Sequence, residues 1–127
     1  MSNDLFRLSL HNHPDAVDRA RHHVLLSCSG MPPDISAIAQ LLTAELVNAA
    51  FDAGSADILL AVTTTEESLR VETTHTSAPT PSTSSAGGTG EPGRRLIVVE
   101  ALARRWGVEL HHADGARTVW FELRTRR

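Results

Sequence analysis

Apolar positions in this chain recur at two periods, and the switches between them mark out the elements. Leu5-Phe6-Arg7-Leu8-Ser9-Leu10 alternates and reads as a strand. Pro14 suits a first helical turn, and Val17, Ala20, Val24 and Leu25 follow at helical spacing over Ala16 to Leu26. Gly30-Met31-Pro32-Pro33 stops that helix. Asp34 is a suitable N-cap for a second helix, with Ile35, Ile38, Leu42, Leu46, Ala49 and Ala53 on one face and Gly54 at its end. Two β-branched runs, Asp57 to Thr64 and Ser68 to Thr74, flank Thr65-Glu66-Glu67 and predict a hairpin. A third helix is expected over about Arg94 to Trp106, capped by Gly107. Val108 to His112 and Arg117 to Arg124 then pair around Ala113-Asp114-Gly115.

Between the hairpin and the third helix, Thr73 to Gly93 is rich in Thr, Ser, Pro and Gly and has no apolar anchor. Such a stretch reads as a flexible, lid-like loop. The order strand, helix, helix, strand, strand, loop, helix, strand, strand predicts an α/β two-layer sandwich. In it, about three helices cover one face of a mixed, mainly antiparallel sheet of about five strands. The 127 residues are expected to form one domain, 1–127.

Composition narrows the function classes. A net charge of −3 gives no electrostatic case for nucleic acid or an anionic membrane. No run approaches the ~20 apolar residues of a membrane span, and no signal peptide is visible. A lone cysteine, Cys28, rules out an internal disulfide, suits a reducing cytoplasm and reads as a small buried apolar residue. His11-Asn12-His13, His22-His23 and His111-His112 lack the i, i+4 spacing of helical metal pairs, so no metal site is expected. No Ser-His-Asp ordering or nucleophile elbow is present. Trp106 and Trp120 are expected to pack the core.

The last third, Glu91-Pro92-Gly93-Arg94-Arg95-Leu96 through Trp106-Gly107-Val108 to Thr118-Val119-Trp120-Phe121, together with Leu42-Thr43-Ala44-Glu45-Leu46-Val47-Asn48-Ala49-Ala50, carries a family resemblance. The chain resembles the small ATP-binding domains of bacterial anti-sigma factors and serine kinases, relatives of histidine-kinase and Hsp90 ATPases. Its basic residues are all Arg and none Lys, a usage similar to that of actinobacterial proteins. In that family a Glu acts on the attacking hydroxyl and an Asn four residues later ligates Mg²⁺. The resemblance puts Glu45 on the Glu but Ala49 on the Asn, with Asn48 either a polar residue on the helix shoulder or a displaced ligand. A methyl cannot ligate a hard cation.

The family's adenine-reading Asp falls near His75, read as an exposed loop histidine, and no acid occurs from Thr73 to Gly90. The family's Gly-x-Gly before the third helix keeps Gly93 and replaces the second Gly by Arg95. Arg94 and Arg95 are expected to be solvated, or else to bind an anion directly. Thr118 matches the family's adenine-pocket Thr. The candidate nucleotide cleft is therefore Glu45, Asn48, His75, Gly93, Arg94 and Thr118.

The resemblance implies a regulatory protein acting through protein–protein contacts in bacterial transcriptional signalling. Its partner would be a sigma factor or an anti-sigma antagonist, as a homo- or heterodimer, with no cofactor at a degenerate site. The alternative is an active ATP- and magnesium-dependent serine/threonine protein kinase with Glu45 as catalytic base.

Overall fold

The computed structural model describes residues 4–76, 91–111 and 113–125. Strand β1 (Asp4–His11) leads to helices α1 (Ala16–Ser27) and α2 (Pro33–Asp52), then to the hairpin of β2 (Asp57–Thr64) and β3 (Ser68–Thr76). Helix α3 (Glu91–Leu102), β4 (Arg105–His111) and β5 (Ala116–Arg124) complete the order. The strands form one open sheet in the order β1-β2-β3-β5-β4. The three helices lie on one face of it, a two-layer α/β sandwich.

Every neighbouring pair of strands is antiparallel, in line with the mainly antiparallel sheet of about five strands expected from the sequence. The reason is topological. The α1–α2 pair returns the chain to the end of the sheet it left, so β2 runs back beside β1. The single helix α3 instead carries the chain to the opposite end, so β4 runs in the same direction as β3. Strand β5 then slots between those two and is antiparallel to both.

The core lies between the sheet and α2. Leu42, Leu46, Val47 and Ala50 of α2 are buried against Leu60, Val62, Leu69, Val71 and Phe121 of the sheet. Alternation places those strand residues on one face, and α2 lies between α1 and α3. Cys28 is buried where α1 ends, as its apolar reading requires. Turn residues also act as the sequence indicates: Gly54 and Gly115 both have positive φ, just after α2 and in the β4–β5 turn.

Several boundaries differ from those read in the sequence. Helix α2 starts at Pro33 with Pro32 as N-cap, so Asp34 sits inside the first turn. Helix α3 covers Glu91 to Leu102, one turn earlier than its apolar spacing suggests, so Gly93 lies within it. Trp106 and Gly107 consequently belong to β4. Trp106 still packs against the core. Trp120 does not: it lies on the open face, with the Arg70 guanidinium 4.0 Å from its ring centre. A Cβ on its cross-strand partner Gly107 would come within 2.9 Å of the indole, so only glycine lets the ring lie flat. Strand β3 and helix α3 also claim both ends of the expected lid. Its centre, 77–90, lies outside the described residues.

Candidate functional site

Helix α2 sets Glu45, Asn48 and Asp52 on one face, since i, i+3 and i+7 return to about the same direction after two turns. Helix α3 crosses beside that face and inserts Arg95 between the two carboxylates. Arg95 Nη1 donates to Glu45 Oε1 at 3.0 Å, and Arg95 Nε donates to Asp52 Oδ2 at 2.9 Å. The side chains of Glu45, Asp52 and Arg95 keep 20%, 37% and 28% of their exposure, so the cluster is partly shielded from water. The Asp52 hydrogen bond, followed by that of Glu45, pushes the Arg95 pKa above its ordinary value. Arg95 is therefore a permanent cation here, and not the solvated residue its place in the sequence suggests.

This geometry has two chemical consequences. A general base needs a free lone pair in reach of its substrate hydroxyl, and the bound guanidinium occupies Glu45 Oε1. A divalent cation at the same carboxylates would have to displace Arg95. Ala49, four residues after Glu45 on the same helix, offers a methyl and no ligand, and it is 9% exposed. Asn48 is half-buried on the shoulder of α2, with no side-chain hydrogen bond among the described residues. The residues present do not fit a magnesium-bound triphosphate.

His75 is the second finding. It lies on β3, on the helix-facing side with Leu69, Val71 and Thr73, and is 4% exposed rather than a loop histidine at the surface. Alternation explains the burial: His75 falls on the same parity as the core residues of its strand. Neither ring nitrogen has a hydrogen-bond partner among the described residues. Its cross-strand partner is Arg117 of β5. Burial, and then the Arg117 charge, hold the imidazole below its ordinary pKa of 6.5. The ring is thus neutral and carries no fixed charge for reading an amino group.

Thr118 is the residue that the structure separates from the others. Its partner across the sheet is Thr74, and the two hydroxyls meet at 2.8 Å on the face away from the helices. His111 Nε2 lies 2.9 Å from the same Thr118 hydroxyl. Thr118 is one residue out of phase with Val119, Phe121 and Leu123, and that single step turns it to the open face. Of the six candidate residues, Glu45 and Asn48 share the α2 face that Arg95 of α3 reaches. His75 lies on the helix side at the end of β3, and Gly93 and Arg94 lie early in α3.

No protein-family model matches this chain, and no curated protein matches it. The role of the site therefore rests on the chemistry of its residues.

Asp52 is legible in the sequence on the face of Glu45 and Asn48, where a rearranged polar site is conceivable, but it is not among the candidate cleft residues; Arg117 was missed. The signal for Asp52 was an acid at i+7 from Glu45, which becomes meaningful only once a cation is known to face it. Arg117 was legible by counting back from Phe121 in steps of two, which places it on the helix side beside His75.

The lowered His75 pKa gives a prediction with a definite sign. Below about pH 6.5 the unfolded chain binds a proton at this histidine that the folded chain refuses, so stability falls as the pH drops. The loss begins near the ordinary value and grows until the pH passes the folded-state pKa. His23, lowered by burial and then by His22, acts in the same direction. His75→Leu is therefore expected to flatten, though not abolish, the fall in melting temperature between about pH 7.5 and 5.5. It should also raise stability at neutral pH, because two unpartnered buried nitrogens disappear. An unchanged pH slope would show that His75 is solvated in the folded chain.

Proposed function

We propose that this chain is a regulatory module of the anti-sigma-factor and serine-kinase type that works by protein–protein interaction in bacterial transcriptional signalling. Its nucleotide cleft is closed by its own arginine. The observation that carries this reading is Arg95, held between Glu45 and Asp52 at 3.0 and 2.9 Å. The order of elements, with a carboxylate-bearing α2 beside the start of α3, supports the resemblance. Ala49 at the metal-ligand position and the neutral His75 at the adenine position support loss of nucleotide use. A sigma factor or an anti-sigma antagonist is the proposed partner, met as a homo- or heterodimer, and the proposed setting is the cytoplasm. Among the described residues, no helix is long and apolar enough to cross a membrane.

The test is thermal unfolding in millimolar ATP with Mg²⁺. A ligand at 100 times its dissociation constant stabilises the native state by about 2.7 kcal/mol. That amounts to several degrees for a domain of this size. No shift is expected. A clear magnesium-dependent shift would overturn the proposal and restore the kinase alternative, with Glu45 as its base.

A further inference from the structure

At the end of the sheet away from Arg95, the geometry points to a docking site for a basic, amphipathic segment of a partner protein. The pocket, of about 580 Å³, opens where α1 ends, beside the start of β1 and the β2–β3 turn. Phe6, Leu26 and Met31 give it an apolar wall, and Asp4 and Glu66 stand on its rim with Ser29 between the helices. The site lies about 20 Å from Glu45 along α2, at 1.5 Å per residue. The proposal rests on the reading of this chain as an interaction module, and it is tested separately from nucleotide binding.

Charge decides the occupant. Among the described residues, no basic side chain lines the pocket. The last turn of α1, whose dipole is negative at this end, holds no basic residue. Asp4 and Glu66 have no ion-pair or hydrogen-bond partner among the described residues. Elsewhere the chain pairs such groups, as in Arg70–Glu72 and Arg105–Glu122. The apolar part is equally unsatisfied. Leu26 is 63% exposed and Phe6 46%, and Leu25 extends the apolar surface beyond the pocket along α1.

An arginine or lysine side chain matches this combination, with its stem on Leu26 and Met31 and its head between the carboxylates. Phe6 offers a ring face to the same cation. The apolar surface beyond the rim calls for a chain that continues past the cation, hence a protein segment. An anionic membrane would be repelled by the same carboxylates.

The experiment titrates the isotope-labelled full chain, followed by NMR, with an amidated helical peptide. The peptide carries leucines at i, i+3, i+4 and i+7 with arginines between them; a counterpart has glutamate for each arginine. Shifts are expected at Ser29, Gly30, Thr65 and Glu66 with the arginine peptide only. The affinity should fall with added salt and drop about tenfold in Asp4→Asn/Glu66→Gln, whose changes are at exposed positions. Glu45→Gln should bind the peptide unchanged. Equal binding of both peptides, or shifts confined to other surfaces, would overturn the proposal. So would argininamide matching the peptide, which marks a small-amine site, or a dimer of this chain that Phe6→Glu dissolves and the peptide does not disturb. An ATP-induced stabilisation would sink the closed-cleft reading and leave this one standing.

Discussion

The triple variant Ala49→Asn, Arg95→Gly and His75→Asp is expected to bind ATP in the presence of Mg²⁺ where the unaltered chain does not. Each change removes a separate obstacle. Arg95→Gly frees the carboxylates of Glu45 and Asp52 and takes a side chain from the path of the phosphates. It also weakens α3, because a glycine inside a helix costs about 1 kcal/mol relative to alanine. Arg95 is the fifth residue of α3, so that loosening falls in the helix's first turns, where backbone amides must be free to meet a phosphate. Ala49→Asn places an oxygen ligand on α2, four residues after Glu45. His75→Asp replaces a neutral, unpartnered ring with a carboxylate that Arg117 opposite can keep ionised.

Interactions of this kind contribute about 1–3 kcal/mol each, so the three together span several orders of magnitude in affinity. Calorimetric titration of the triple variant and of each single variant measures the gain. Arg95→Gly alone should lose stability without gaining ATP, since the metal and adenine positions remain blank. Failure of the folded triple variant to bind would mean that the cleft is not a nucleotide site in ancestry or in shape.

Phe121→Ala is expected to cost about 3–5 kcal/mol, a large share of the roughly 5–15 kcal/mol that holds a domain folded. Phe121 is fully buried and among the largest side chains in the core. It lies on β5 between Val71 of β3 and Trp106 of β4, and α2 closes over that face. The neighbours are fixed by three strands, so the cavity cannot collapse cheaply. Leu110→Ala is the contrasting control: Leu110 is 56% exposed on the edge strand β4 and should lie within about 0.5–1 kcal/mol of the unaltered chain. Urea midpoints at a constant slope measure both. A small loss at Phe121 would indicate a β5 register shifted by one residue, which would turn Phe121 to the open face and Trp120 to the core.

The fold was legible wherever periodicity had a boundary signal beside it. β1 and the β2–β3 hairpin are places where alternation or a turn trio fixed the element, and α1 carried its proline and its stop. The third helix lies a turn earlier than its spacing predicts because Leu96, Val99, Leu102 and Trp106 continue one apolar stripe across the junction from α3 into β4. A stripe of apolar residues does not say where a helix gives way to a strand when Arg104 and Arg105 are compatible with either. Trp120 departs from its expected core position for a related reason. Its size suggests a core residue, but the parity of β5 sends it outward, where Arg70 and the missing side chain of Gly107 make room for a flat ring.

The sequence by itself determined the class of fold, the face of α2 that carries Glu45, Asn48 and Asp52, and the absence of an acid at the position of His75. These are local properties: helical and strand periods, and the identity of single residues. Only the tertiary structure decided what those residues do to one another. Arg95 is separated from Glu45 by 50 residues, and the pair forms because α3 crosses α2 at that level. The burial of His75 and the outward turn of Thr118 follow from the register between β3 and β5, a pairing of strands more than 40 residues apart. Contacts of that range depend on how the layers stack, and no local pattern in the chain encodes the distance at which two charges will meet.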